Sequence, residues 1–194
     1  EGMGLPKEEI QFHEDAWAGG GNMGPSMEFF SRGLEIGNQV YMQYDIKSGY
    51  PKELKIKVLD MGMGQERPAW FTHGTRTSYE ATFPTVVERL YKATGIKPDE
   101  ALLGRFFPHS GLLNVEEAAD LEKSWAEIAQ KIGVGKEELK RHIMPLAGLY
   151  SIGDHTRGLL MALSDGALPS NVGGGYNLRV LVRRSLDFIE RYGW

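Results

Sequence analysis

Apolar and polar positions alternate along part of the first 80 residues. Val40, Met42 and Tyr44 alternate with Gln39, Tyr41 and Gln43, the period of a half-buried strand. Lys47-Ser48-Gly49 predicts a turn, and beyond it Leu54, Ile56 and Val58 alternate with Glu53, Lys55 and Lys57. The pattern predicts a hairpin with one polar and one apolar face. Its second strand runs into Asp60-Met61-Gly62-Met63-Gly64, then Gln65-Glu66-Arg67. That is a strand, a Gly-rich bend and a helix start, a good place to bind an anion.

After residue 82 the period becomes helical. Val86, Val87, Leu90 and Tyr91 recur at helix spacing, with Gly95 to cap the end. Asn114-Val115-Glu116-Glu117 resembles a capping box. The helix after it puts Leu121, Trp125, Ile128 and Ile132 on one face and stops at Gly133. Another helix is predicted from Lys136 to Ile143, ending before Pro145. Asp154 is predicted to cap a further one through Leu163, and the last runs from about Asn177 to Tyr192, before Gly193. A β-rich part, residues 1–82, and a helical part, residues 83–194, make an α+β chain.

Composition narrows the chemistry. The chain has 194 residues and 25 glycines, about 13% against a typical share of about 7%. Hydrophobic residues make up 41% and no G-X-Y repeat occurs, so the glycines occupy particular backbone positions. No Cys is present, which excludes disulfide scaffolds, thiolate metal sites and a Cys nucleophile. No apolar run is long enough for a membrane helix. The chain starts at Glu1 and shows no signal peptide, so it reads as a fragment of an intracellular, cytoplasmic protein. Net charge is −4 overall, but −6 over residues 1–45 and +1 over residues 151–194. This argues against a coat for nucleic acid and permits a local basic face.

Three constellations carry candidate chemistry. Trp17 to Pro25 contains Gly19-Gly20-Gly21 and Gly24; it reads equally as a close-approach ligand loop or as a tight strand connection. It is neither a P-loop nor a dinucleotide fingerprint. In the second, Asp60 at a strand end suits an ammonium group, Gly62 and Gly64 leave room for a small substrate, and Arg67 suits a phosphate. The bland reading is a capped bend and a surface ion pair. The third runs from Asp165 to Arg184, an exposed loop leading into Arg179, Arg183 and Arg184. Those arginines suit phosphates and Asn171 suits a base edge, against a solvated helix face. The five histidines show no metal-ligand spacing. Asp154-His155 by itself is explained by helix capping more simply than by a phosphohydrolase site.

Five blocks together resemble the archaeal branch of the alanyl-tRNA synthetase family. They are Glu14 to Pro25, Gly37 to Tyr44, Asp60 to Arg67, Asp154 to Arg157, and Asp165 to Arg184. They stand in the family's order and cover nearly the whole chain. The resemblance implies a partial class II antiparallel sheet followed by a mainly helical tRNA-recognition domain. Asp60 to Arg67 resembles the third class II signature, whose Arg binds ATP phosphates. By the same resemblance Asp60 holds the α-ammonium of L-alanine, Asn38 orients the substrate, and Trp17 and Gly62 wall the side-chain pocket, with Gly64 beside it. Asn171 matches the residue that reads the G·U wobble pair of the tRNA(Ala) acceptor stem, with Arg179, Arg183 and Arg184 on its backbone.

The implied cofactors are ATP and its Mg²⁺. The first two signatures are expected before Glu1, and a zinc-bearing editing domain after Trp194. Met61 stands where the family often has Thr, and Gln65 where Leu is common. The implied activity is ATP-dependent activation of alanine and its transfer to tRNA, with this fragment inactive alone. A noncatalytic RNA-binding module on the same scaffold is the alternative.

Overall fold

The computed structural model describes residues 4–114 and 120–194. They divide into two compact units, one ending at Thr82 and the other beginning at Phe83. The architecture is α+β: an antiparallel sheet in the first unit, helices in the second. Among the described residues, no helix is long and apolar enough to cross a membrane.

The first unit holds four strands in sequential order: β1 (Ile10–Gly19), β2 (Asn22–Ser31), β3 (Leu34–Asp45) and β4 (Lys52–Gly62). Gly20 and Gly21 join the first two, with φ of 58° and 85°. Positive φ at both central residues is the signature of the hairpin turn that matches strand twist. Within the Gly-rich segment, Gly20 and Gly21 are therefore the strand connection. Arg32 and Gly33 make the same kind of turn between β2 and β3, at φ of 52° and 80°. Arg32 is held there by Glu9, through Nε–Oε2 at 2.7 Å and Nη2–Oε1 at 3.1 Å.

Two bulges break the β2–β3 ladder, one between Met23 and Ser26 and one between Phe29 and Phe30. Gly24 lies in the first. A Cβ there would overlap the carbonyl of Tyr41, standing 2.8 Å from its carbon. The sheet ends in helix α1 (Glu66–His73), followed by α2 (Ser78–Thr82). The predicted hairpin forms, but its apolar side is not covered: Ile56 is 80% exposed on β4.

The second unit contains α3 (Pro84–Thr94), α4 (Glu100–Phe106), α5 (Leu121–Ile132), α6 (Lys136–Ser164) and α7 (Gly173–Tyr192). Its core gathers Leu102, Leu103, Phe106, Ile128, Leu139 and Leu149, with the last three fully buried or nearly so. Asp120 caps α5 by accepting from Lys123 N at 3.1 Å. The expected capping box at Asn114 to Glu117 falls mostly outside the described residues.

Three helix expectations need correction. The helix predicted to end before Pro145 continues through it to Ser164. Leu139, Ile143, Leu146, Leu149 and Ile152 form one buried stripe across the proline. Burial of that stripe outweighs the proline's cost of about 3 kcal/mol. Asp154 thus lies inside α6 and caps nothing. The last helix begins at Gly173, not near Asn177.

Candidate functional site

Strand register sets the first cluster. Asp60 pairs with Val40, Val40 with Ser26, and Ser26 with Asp15. In the next row Gly62 pairs with Asn38, Asn38 with Glu28, and Glu28 with His13. Directly paired residues share a sheet face, and so do residues two apart on one strand. Asp60, Gly62, Asn38 and Trp17 therefore lie on one face.

Arg67 enters from the first turn of α1. Its backbone N–H donates to Gly64 O at 2.9 Å, so the Gly-rich bend fixes where the helix starts. Its Nη1 donates to Glu35 Oε2 at 2.5 Å and to the Glu35 carbonyl at 3.3 Å. Asn38 Nδ2 donates to Glu35 Oε1 at 3.2 Å. Burial pushes the Glu35 carboxyl up, but hydrogen bonds from Arg67 and Asn38 and the Arg67 charge leave it below the usual carboxylate range. Gly62 lies against this network: a Cβ there would stand 2.5 Å from Asn38 Oδ1. Any side chain at Gly62 would push the Asn38 amide from its place.

Asn38 and Arg67 thus meet at Glu35, with Gly62 against the Asn38 amide and Gly64 bonded to the Arg67 backbone. Asp60 stands one row away on the same face, exposed, opposite buried Val40. Among the described residues, no cation pairs with its carboxylate. Trp17 is not part of the cluster's strands. It lies on β1, three strand steps from β4, about 14 Å at the usual spacing. Its indole folds back over Gly19, where a Cβ would meet Cζ2 at 2.5 Å.

The second cluster belongs to the helical unit. Asn171 lies in the loop between α6 and α7, and Arg179, Arg183 and Arg184 lie on α7, all exposed. Arg179 Nη1 donates to Asn171 Oδ1. Arg183 and Arg184 flank a shallow depression with Val180 and Asp187. Among the described residues, no three His, Asp or Glu side chains converge to hold a metal ion.

A profile of the family described as tRNA synthetases class II (A) matches residues 1–194. The chain belongs to that family. It is 52% identical to an alanine–tRNA ligase of Methanocella arvoryzae over 195 residues, 100% of this chain and 22% of that protein. It is 43% identical to an alanine–tRNA ligase of Cenarchaeum symbiosum, over 97% of this chain and 21% of that protein. A third, from Methanothermobacter thermautotrophicus, is 40% identical over 98% of this chain and 21% of its own length. This class II synthetase chain spans about a fifth of the curated relatives it matches.

Two residues of the first cluster escape a reading of the sequence. Val40 reads only as a core residue, although it faces Asp60 directly. Glu35 and Asn38 are three apart, which in a regular strand sends side chains to opposite faces. The bulge between Phe29 and Phe30 resets that alternation and brings both side chains together. No local sequence signal marks such a bulge.

Proposed function

We propose that this chain is the central part of an alanine–tRNA ligase, residues 1–82 being the rear of its aminoacylation domain and residues 83–194 the start of its tRNA-recognition domain. The observation that carries the reading is the exposed Asp60 carboxylate, unpaired among the described residues, on the same face as the Asn38–Glu35–Arg67 network. An ammonium group satisfies Asp60. A carboxylate and a phosphate are the groups that Asn38 N–H and Arg67 are built to meet.

The reaction follows in two steps. The alanine carboxylate attacks the α-phosphorus of ATP, the bond to the β-phosphate oxygen breaks, and pyrophosphate leaves. The terminal hydroxyl of tRNA then attacks the alanyl carbonyl, and AMP leaves. No enzyme-bound covalent intermediate is needed, so the protein acts by positioning and charge stabilisation. Asp60 orients alanine through its ammonium group. Arg67 keeps Nη1 on Glu35 and offers its other N–H groups to an ATP phosphate. Gly62 keeps the space beside Asn38 open. Such a space rejects large side chains by overlap but glycine and serine poorly, which calls for a separate editing site. Mg²⁺ arrives with ATP as part of the substrate, and the described residues build no cage of their own for it.

The full-length protein is expected to catalyse alanine-dependent ATP–pyrophosphate exchange, and this chain alone is not. Exchange by the chain alone at a normal synthetase rate would refute its being an incomplete catalytic unit. Absence of alanine-dependent exchange in the full-length protein would favour the noncatalytic RNA-binding module. For the helical unit, Asn171→Ala in the full-length protein is expected to reduce discrimination for the wobble pair by about 1–3 kcal/mol. The check is aminoacylation of acceptor stems with G·U or G·C at that pair, and an unchanged preference removes the role.

A further inference from the structure

The loop before α7 is tied to the helix by its own hydrogen bonds. Ser170 N donates to Gly175 O at 2.9 Å, and Ser170 Oγ donates to Val172 O at 3.0 Å. Asn171 is held between these anchors. From further along the same helix, Arg179 reaches back and donates through Nη1 to Asn171 Oδ1. Both side chains are exposed, so the pair stands at the surface.

The chemistry of this pair has one polarity. A guanidinium carries five N–H donors and no acceptor, whereas an amide carries one acceptor oxygen and one donor NH₂. The pair forms only with Oδ1 turned to Arg179. Turning the amide by half a revolution would set donors against donors. Nδ2 and its two N–H groups therefore face away from Arg179.

We propose that Arg179 is a positioning residue that fixes the orientation of Asn171, so that the loop presents N–H donors to the RNA. The inference rests on the reading of Asn171 as the wobble-pair contact. The partner of Nδ2 on the base edge is then an acceptor, a carbonyl oxygen or an unprotonated ring nitrogen. The second lone pair of Oδ1 stays open to a donor beside it. Arg183 and Arg184 remain for the phosphates, while Nη1 of Arg179 is engaged by Asn171.

The test uses the full-length protein and acceptor-stem RNAs with G·U or G·C at the wobble position. Arg179→Ala is expected to lower the ratio of kcat/KM for G·U over G·C by about tenfold, as Asn171→Ala does. The double variant should be no worse than either single one, since both remove the same interaction. Arg179→Lys, which also only donates, should keep most of the discrimination. Asn171→Asp keeps a partner for Arg179 but has no N–H, and should lose the discrimination. The inference is overturned if Arg179→Ala slows both RNAs equally and lowers the salt slope of binding by about one, the behaviour of a phosphate contact. If Asn171→Ala itself leaves the ratio unchanged, the wobble reading fails and takes the inference with it.

Discussion

Arg67→Ala is expected to slow alanine-dependent ATP–pyrophosphate exchange by the full-length protein about 10²–10³-fold, the usual cost of removing one preorganised donor to developing charge. The guanidinium is already aimed by two contacts to Glu35, and the backbone that carries it is fixed by a bond to Gly64. It therefore loses little freedom on meeting a phosphate, which is why its removal costs rate as well as affinity. Lys at this position keeps the charge but not the planar fork, and should restore only part of the activity. Glu35→Gln should have a far smaller effect, because the neutral amide still accepts from Arg67. The carboxyl of Glu35 is held low, so its stabilising share is complete above the ordinary Glu value of about 4.3 and is lost as pH falls through the lowered folded value. An Arg67→Ala protein with unchanged exchange would exclude Arg67 from the reaction.

Gly24→Ala is expected to destabilise the sheet by about 3 kcal/mol, at the upper end of what overpacking costs. The added methyl would collide with the backbone carbonyl of Tyr41, not with a side chain that can swing aside. Relief requires β2 and β3 to separate at the bulge between Met23 and Ser26. That would unpair the rows leading from Ser26 through Val40 to Asp60. Hydrogen exchange checks this directly: protection of the β2–β3 amides should fall by about 100-fold. Undiminished protection would mean that the ladder accommodates the methyl group.

Much of this architecture was legible locally. The alternation at Val40, Met42 and Tyr44 located β3, and Leu54, Ile56 and Val58 located β4. Glycines at 95, 133 and 193 ended helices where expected, each in the left-handed conformation. The ordered blocks were sufficient for the family. Short-range pattern misled at Pro145, where a breaker rule met a stripe of buried side chains that a short window does not weigh. It also missed Glu35, whose approach to Asn38 depends on a bulge against β2.

The amino-acid sequence by itself determined the period of each element, the chemical types at its ends and the membership of the family, because these depend on neighbours within a few residues. Tertiary structure decided which of those residues meet. Register put Asp60 opposite Val40 and Gly62 opposite Asn38, left Trp17 on the far strand, and drew Arg67 onto Glu35. In the helical unit it turned Arg179 from a solvated charge into the partner of Asn171. Contacts of this kind are set by strand pairing, bulges and chain reversal, which join residues that periodicity alone cannot connect.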